Sequence, residues 1–144
     1  MSSSPSYPRE DLETIISAAF ALAVVDGHVH DREAESIFAF LDHAWQESYG
    51  DLRQLAEAAN RRAFKILGSG SAAGMLEDDA RSLSASLDSS QKDAVLSLLA
   101  SVMTADGQEG KREMGMFKLF LRHLYEPDTI SRECMGNIIS VLLL

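Results

Sequence analysis

The sequence predicts an all-α protein, a single-domain bundle of about seven helices built on two duplicated αα-hairpins. No segment alternates apolar and polar residues as a strand does, and the three prolines stand at positions 5, 8 and 127, outside the long periodic stretches. The chain also repeats itself after eighty residues. Seven identities fall within the eighteen positions from 26 to 43 under that shift, where chance gives about one.

The first hairpin is predicted from two consecutive apolar-periodic stretches. Residues 11–25 include IISAAFALAVV, which is apolar almost all round and typical of a helix buried centrally in a bundle. Gly27 ends this helix, and a second helix is expected over 31–45. Its inward face combines Ile37, Phe40, Leu41 and Ala44. Residues 1–9 carry serines and prolines, so we expect a flexible N-terminal tail there and the helical domain over 10–144.

Two further helices are predicted between the repeats. The third is expected over 51–67, and its inner stripe comprises Leu52, Leu55, Ala56, Ala59, Ala63 and Phe64. Its outer face is basic, through Arg61, Arg62 and Lys65. This face is expected to be solvated, or alternatively to dock an acidic partner. The stretch GSGSAAG (68–74) predicts a flexible linker, followed by a short acidic helix that ends near residue 87.

The second hairpin begins with Asp88 and Gln91, a plausible capping pair for a helix that runs to about residue 105. A sixth helix is expected over 111–125 and a seventh from Pro127 to the C-terminus. Each half alone would leave an apolar central helix partly uncovered. The two halves are therefore expected to pack on each other within one domain.

Composition limits the classes of function. The 144-residue chain has a net charge of −9, which disfavours nucleic-acid binding and favours cations or basic partners. Its one cysteine, Cys134, rules out an internal disulfide and is expected to be a structural thiol. The N-terminus lacks the pattern of a secretory signal, and the longest uncharged apolar stretch, 15–25, is too short to span a bilayer. We therefore expect a cytoplasmic protein without direct membrane insertion.

The only pattern that looks like a site is a repeated acidic-glycine turn. The first copy is Asp26-Gly27 followed by Glu33, and the second is Asp106-Gly107 followed by Glu113. Asp-Gly-x5-Glu is also the back half of an EF-hand loop. The front half of that loop is missing, because its first carboxylate positions hold apolar or hydroxyl residues here. A true EF-hand is therefore disfavoured.

Two interpretations of these carboxylates stay open. Asp-Gly is a common turn dipeptide, and a Glu in the first turn of a helix caps its amides, so all four residues have ordinary structural uses. Alternatively, if the duplication brings the two turns together, Asp26, Glu33, Asp106 and Glu113 share a cation. Neither cysteine nor a histidine pair recurs in both copies. The predicted ion is therefore a hard one, such as calcium, magnesium or manganese.

The remaining chemistry-bearing residues favour a protein that is not an enzyme. His28 and His30 stand in a turn where solvation is the expected state; the alternative is that an extended turn lets them bind zinc or nickel. His43 and His123 are expected in the last turns of their helices, where a partly charged imidazole suits the dipole. The chain contains no nucleophile elbow, P-loop or dinucleotide fingerprint. A hydrolase that uses the paired carboxylates is also disfavoured, since a duplicated pair offers two similar environments where acid and base need different ones.

The two turns resemble those of the TerB-like (tellurite resistance protein B) family, in which an apolar helix ends in Asp-Gly and a Glu follows at the start of the next helix. The copies read VVDGHVHDRE (24–33) and TADGQEGKRE (104–113), and they depart from the family pattern at His30 and Glu109. The resemblance implies a seven-helix fold and divalent-metal binding by Asp26, Glu33, Asp106 and Glu113. It also implies protein partners in a stress-response complex near the membrane. The alternative function is a protein-interaction bundle in which these carboxylates only cap helices.

Overall fold

The computed structural model describes residues 7–24, 31–104 and 111–125, and within them the chain forms six α-helices and no strand. The all-α bundle predicted from the sequence is therefore confirmed. The seventh helix, predicted from Pro127 onward, lies outside the described residues. A short 3-10 helix, Glu47–Tyr49, follows the second α-helix. The helices are α1 (Arg9–Val24), α2 (Asp31–Ala44), α3 (Leu52–Gly68), α4 (Ala72–Ser86), α5 (Ser89–Thr104) and α6 (Lys111–Leu124).

The duplication seen in the sequence is preserved in the helix boundaries. Both α1 and α5 have 16 residues, and both α2 and α6 have 14. Each boundary of the α5–α6 hairpin lies eighty positions after the corresponding boundary of the α1–α2 hairpin. Any residue of the first hairpin therefore has a structural equivalent eighty positions later.

The two central helices, α1 and α5, start at the same end of the bundle. Ser86, the last residue of α4, donates a hydrogen bond to the Asp11 carboxylate in the first turn of α1, and α5 begins three residues later. The Asp88 carboxylate, just before α5, is near enough to Tyr7, two residues before α1, to contribute to the raised pKa of its hydroxyl. Since α1 and α5 pack together and are each about 24 Å long, they run in roughly the same direction.

The second helix of each hairpin returns in the opposite sense. Tyr7 packs its ring on Phe40 near the end of α2, with 5.9 Å between ring centroids. Tyr125, directly after α6, donates its hydroxyl to Asp93 near the start of α5, at 2.8 Å. The end of the bundle where α1 and α5 stop, and α2 and α6 start, is called the turn end below.

The core is built around α1, whose residues 15–24 are all buried. The predicted inner stripe of α3 is correct at Leu55, Ala59 and Ala63 but wrong at Phe64, which is 54% exposed. Ile66 takes the inward position instead. Adjacent positions differ by about 100° around a helix, so the position directly after Ala63 points away from the stripe that continues to Ile66.

The predicted linker at 68–74 is wrong in extent. Helix α3 continues through Gly68 and α4 begins at Ala72, so only residues 69–71 connect them. The turn is compact because Gly70 adopts a positive φ of 77°, and because the Ser69 hydroxyl donates to the Ile66 carbonyl at 2.8 Å. The two alanines that looked like linker residues are good helix formers and extend α4.

Packing also begins earlier than the predicted tail allows. Residues 1–6 lie outside the described part of the chain, but Tyr7 is 3% exposed and Arg9 already belongs to α1. The Tyr49 hydroxyl donates to the Tyr7 carbonyl, and Arg9 Nε donates to the Tyr49 carbonyl at 2.9 Å. These contacts join residues 7–9 to the domain that was predicted to start at residue 10.

Across the described ranges, none of the helices combines the length and the apolar character that a bilayer-spanning helix requires.

Candidate metal site

Among the four predicted carboxylate ligands, Glu33 is the one whose side-chain burial the structure describes. This residue stands in the first turn of α2 and is 2% exposed. Glu113 falls in the first turn of α6, but its side chain lies outside the described residues, as do Asp26 and Asp106. The candidate site therefore consists of one buried carboxylate and three ligands whose positions stay predictions.

Glu33 is buried at the third position of its helix. A carboxylate there meets the free N–H groups and the positive end of the helix dipole, which stabilise negative charge. Burying an ionised carboxylate is costly unless hydrogen bonds or positive charge compensate for it. Helix amides and a bound cation are two ways to meet that requirement, and they correspond to the two interpretations drawn from the sequence.

The hairpins bring the flanks of both acidic-glycine turns to the turn end. There α1 ends at Val24, α2 begins at Asp31, α5 ends at Thr104 and α6 begins at Lys111. Residues 25–30 and 105–110, which carry the predicted aspartates, connect these helix ends. Because α1 and α5 pack in parallel, the helix ends that flank the two turns lie at the same end of the bundle. The duplication alone did not determine this arrangement.

The chemistry of the predicted donor set suits a hard divalent cation. All four residues offer carboxylate oxygens, the ligands preferred by calcium, magnesium and manganese. Within the described residues, three or more His, Cys, Asp or Glu side chains do not gather into a metal-binding group. A site of three or more such ligands that contains Glu33 therefore needs at least one ligand from outside the described residues, where Asp26, Asp106 and the Glu113 side chain lie.

The basic outer face predicted on α3 is smaller than expected. Arg62 forms a bidentate pair with Asp79 on α4, and both the Nη1–Oδ2 and Nη2–Oδ1 distances are 2.6 Å. This hydrogen bonding to Asp79 raises the pKa of Arg62. Arg61 and Lys65 remain exposed. Arg62 is thus a connection between helices, which sequence reasoning missed because its partner lies 17 positions away.

The two equivalent histidines stand in the last turns of α2 and α6, as predicted, but their environments differ. His43 is exposed, whereas His123 is 6% exposed and places Nε2 2.8 Å from Glu77 Oε1 on α4. The helix-dipole explanation is therefore incomplete for His123, which also joins α6 to α4. His28, His30 and Cys134 lie outside the described residues.

Sequence reasoning did not single out Lys92, which is 1% exposed in the first turn of α5. Its Nζ lies 3.4 Å from the Ser84 hydroxyl on α4. A buried lysine is rare unless it is paired. The signal was weak, because Lys92 stands before the apolar run of α5 and resembles an ordinary helix-start residue.

Comparison with known proteins identifies the family. The sequence model of tellurite resistance protein TerB matches residues 12–125, which run from the first turn of α1 to the residue after α6. No curated protein and no solved structure gives a significant match to this chain. The family match covers well over half of the chain and contains all six described helices from Leu12 onward. The chain therefore belongs to the tellurite resistance protein TerB family.

Proposed function

We propose that this protein binds a divalent cation at the turn end through Asp26, Glu33, Asp106 and Glu113. We further propose that it acts as a non-enzymatic adaptor in a tellurite-resistance or stress-response complex. The observation that carries the cation proposal is the common direction of α1 and α5, which brings the helix ends that flank the two acidic-glycine turns to the same end of the bundle. Membership of the TerB family supports it.

Burial of Glu33 adds to this support. A carboxylate that is 2% exposed has little water around it, and a cation shared with carboxylates of the other repeat would offset the loss of hydration. An ion held by both hairpins would also hold them together. Cation binding is therefore expected to stabilise the fold as a whole.

A second candidate function is a protein-interaction bundle without a cation site. The position of Glu33 favours it, because the third residue of a helix is where a carboxylate stabilises free amides. In that case the carboxylates of the two turns only stabilise the starts of helices. The two functions differ in whether a cation changes the stability of the protein.

Thermal unfolding in EDTA, and then in calcium, magnesium or manganese, separates the two functions. A cation at about 100 times its Kd raises the free energy of unfolding by about 2.7 kcal/mol. For a chain of this length, that gain raises Tm by roughly 8–11 °C. The Asp26→Asn/Asp106→Asn variant should lose the rise.

The matched control is Asp42→Asn/Asp78→Asn, which removes the same charge from two exposed helix positions outside the turns. It should keep the full rise in Tm. An unchanged Tm for the wild-type protein with every ion would leave the interaction bundle as the function. An equal loss in both double variants would mean that the ions act by general charge screening.

The adaptor role is tested separately by co-purification from cells grown with and without tellurite. Stable recovery of the same partner proteins with the wild-type chain is expected. Recovery of the chain alone under both conditions would contradict an adaptor role.

A further inference from the structure

Two large apolar side chains among the described residues are exposed, and they stand on different helices. Phe38 on α2 is 43% exposed and Phe64 on α3 is 54% exposed. Both helices pack on α1 rather than closely on each other. Charged side chains surround each phenylalanine, and their signs differ between the two helices.

The exposed face of α2 is acidic around Phe38. It carries Asp31, Glu35 and Asp42, and all three side chains are exposed. They stand seven and three positions before Phe38 and four positions after it, so the helical repeat places them on its side of the helix. One part of the Phe38 ring packs on Phe20 of α1, with 6.2 Å between ring centroids, and the rest is exposed. Phe38 and the three carboxylates are called the acidic face below.

The exposed face of α3 is basic around Phe64. Arg61 stands one turn before Phe64 and Lys65 directly after it, and both side chains are exposed. Within the described part of the chain, neither cation has a carboxylate partner, whereas Arg62 pairs with Asp79. Two such cations beside an apolar ring favour a neighbour that is negatively charged and also carries an apolar side chain. Phe64, Arg61 and Lys65 are called the basic face below.

We propose that the acidic face of one molecule docks on the basic face of a second copy of this chain, with Phe38 packed against Phe64 of that copy. The two faces are opposite in charge, and each carries one large apolar side chain among its charges. Because the contacting faces differ, the contact is heterologous rather than a symmetric pairing of identical faces. This inference goes beyond the proposed function and does not depend on the cation site.

The spacing of the charges favours an antiparallel crossing of the two helices. Each residue advances about 1.5 Å along a helix, so Asp42 lies about 6 Å to one side of its phenylalanine and Arg61 about 4.5 Å to one side of the other. With the phenylalanines in contact, an antiparallel crossing places Asp42 beside Arg61. On the other side of the aromatic pair it places Glu35 within reach of the long side chain of Lys65.

A parallel crossing is disfavoured by two other carboxylates. Asp31 on α2 and Glu57 on α3 each stand seven positions before the phenylalanine of their helix, and both are exposed. A parallel crossing would therefore place them opposite each other, where like charges repel. The antiparallel crossing separates them to opposite ends of the contact.

Sedimentation equilibrium of the full chain in EDTA tests the proposal, because EDTA removes divalent ions that could bridge carboxylates of two molecules. One helix face per copy makes a small contact, so the protein is measured over roughly 10 µM to 1 mM. The average mass of the wild-type protein should rise above that of the monomer across this range. A wild-type protein that stays monomeric throughout would overturn the proposal.

Two complementary variants show which faces meet. Phe38→Lys disrupts the acidic face and Phe64→Glu disrupts the basic face, so each variant alone should stay monomeric. An equimolar mixture should form a dimer with one molecule of each kind, because each variant keeps the face that the other has lost. Ser82→Lys, an exposed change on α4, is the control and should associate as the wild type does. Circular dichroism checks that all three are folded, and a mixture that stays monomeric would contradict the proposed contact.

Charge reversal tests the pairing without changing either phenylalanine. Asp42→Lys and Arg61→Glu should each raise the Kd of self-association at least tenfold, and the two changes in one chain should restore most of the affinity. Restoration by Glu35→Lys with Arg61→Glu instead would show a parallel crossing and overturn the assigned orientation. Restoration by neither combination would overturn the pairing of charges across the contact.

Discussion

Replacing Arg62 with alanine should destabilise this protein more than any other single change to an exposed or half-buried charged residue of α3. The Arg62 guanidinium forms two hydrogen bonds of 2.6 Å to Asp79, and the two side chains are 32% and 10% exposed. The pair joins α3 to α4. Its removal leaves the Asp79 carboxylate nearly buried without the partner that stabilises its charge.

The magnitude follows from the exposure of the two side chains. Breaking a fully buried ion pair costs about 3–5 kcal/mol, whereas exposed pairs contribute about 0–1 kcal/mol. Asp79 is close to the buried limit and Arg62 lies between the limits. We therefore expect Arg62→Ala to lower the free energy of unfolding by about 2–3 kcal/mol, which corresponds to a fall in Tm of roughly 7–10 °C.

Urea unfolding followed by circular dichroism measures this change, and Arg81→Ala is the matched control. Arg81 also pairs with a carboxylate, Glu77, but at 3.6 Å and with its side chain 57% exposed, so its loss should cost less than about 0.5 kcal/mol. The double variant Arg62→Met/Asp79→Leu should be more stable than Arg62→Ala, since apolar residues of similar size leave no buried charge. Equal losses for Arg62→Ala and Arg81→Ala would refute the reasoning.

Two further predictions concern the N-terminal ends of the central helices. Because the pKa of Tyr7 is raised to about 12, its contribution to stability is complete below pH 10 and is lost as the pH rises from 10 to 12. Alkaline urea titrations should therefore show the wild type losing about 2 kcal/mol relative to Tyr7→Phe over that range, after allowance for solvent screening. If the free energies of unfolding of the wild type and of Tyr7→Phe changed equally with pH, the raised pKa of Tyr7 would be contradicted. Asp88 and Gln91 each accept the other's backbone N–H at 2.8 Å, so Asp88→Ala should cost about 1 kcal/mol by thermal melting and Ser89→Ala much less.

The predictions that succeeded depend on interactions between residues that are near in sequence. Apart from the start of α4, the boundaries of the described helices were predicted within about two residues, because apolar periodicity and turn residues act within one or two turns of the chain. The Asp88–Gln91 capping pair was predicted for the same reason and is confirmed by its two hydrogen bonds. The cation site stays a prediction, with its support in the common direction of α1 and α5.

The predictions that failed concern contacts between distant segments. Phe64 was assigned to the core and is exposed, and Arg62 was assigned to solvent and pairs with Asp79. Both errors arise because a helix stripe shows which residues share a face but not which face meets another helix. The identity of that neighbouring helix decides whether a charged residue finds a partner.

By itself, the sequence determined the all-α class, the doubled hairpin, the register of its two copies and the family to which the chain belongs. The tertiary structure decided how equivalent residues differ. His123 is buried against Glu77, while His43 is exposed, although the two stand at the same position of duplicated helices. The physical reason is that the sequence of a helix sets its local conformation and the direction of each side chain. Whether a side chain is buried depends on which other helix packs against that face. Within the described residues, α4 packs closely on α6, where Glu77 meets His123, and makes no comparable contact with α2.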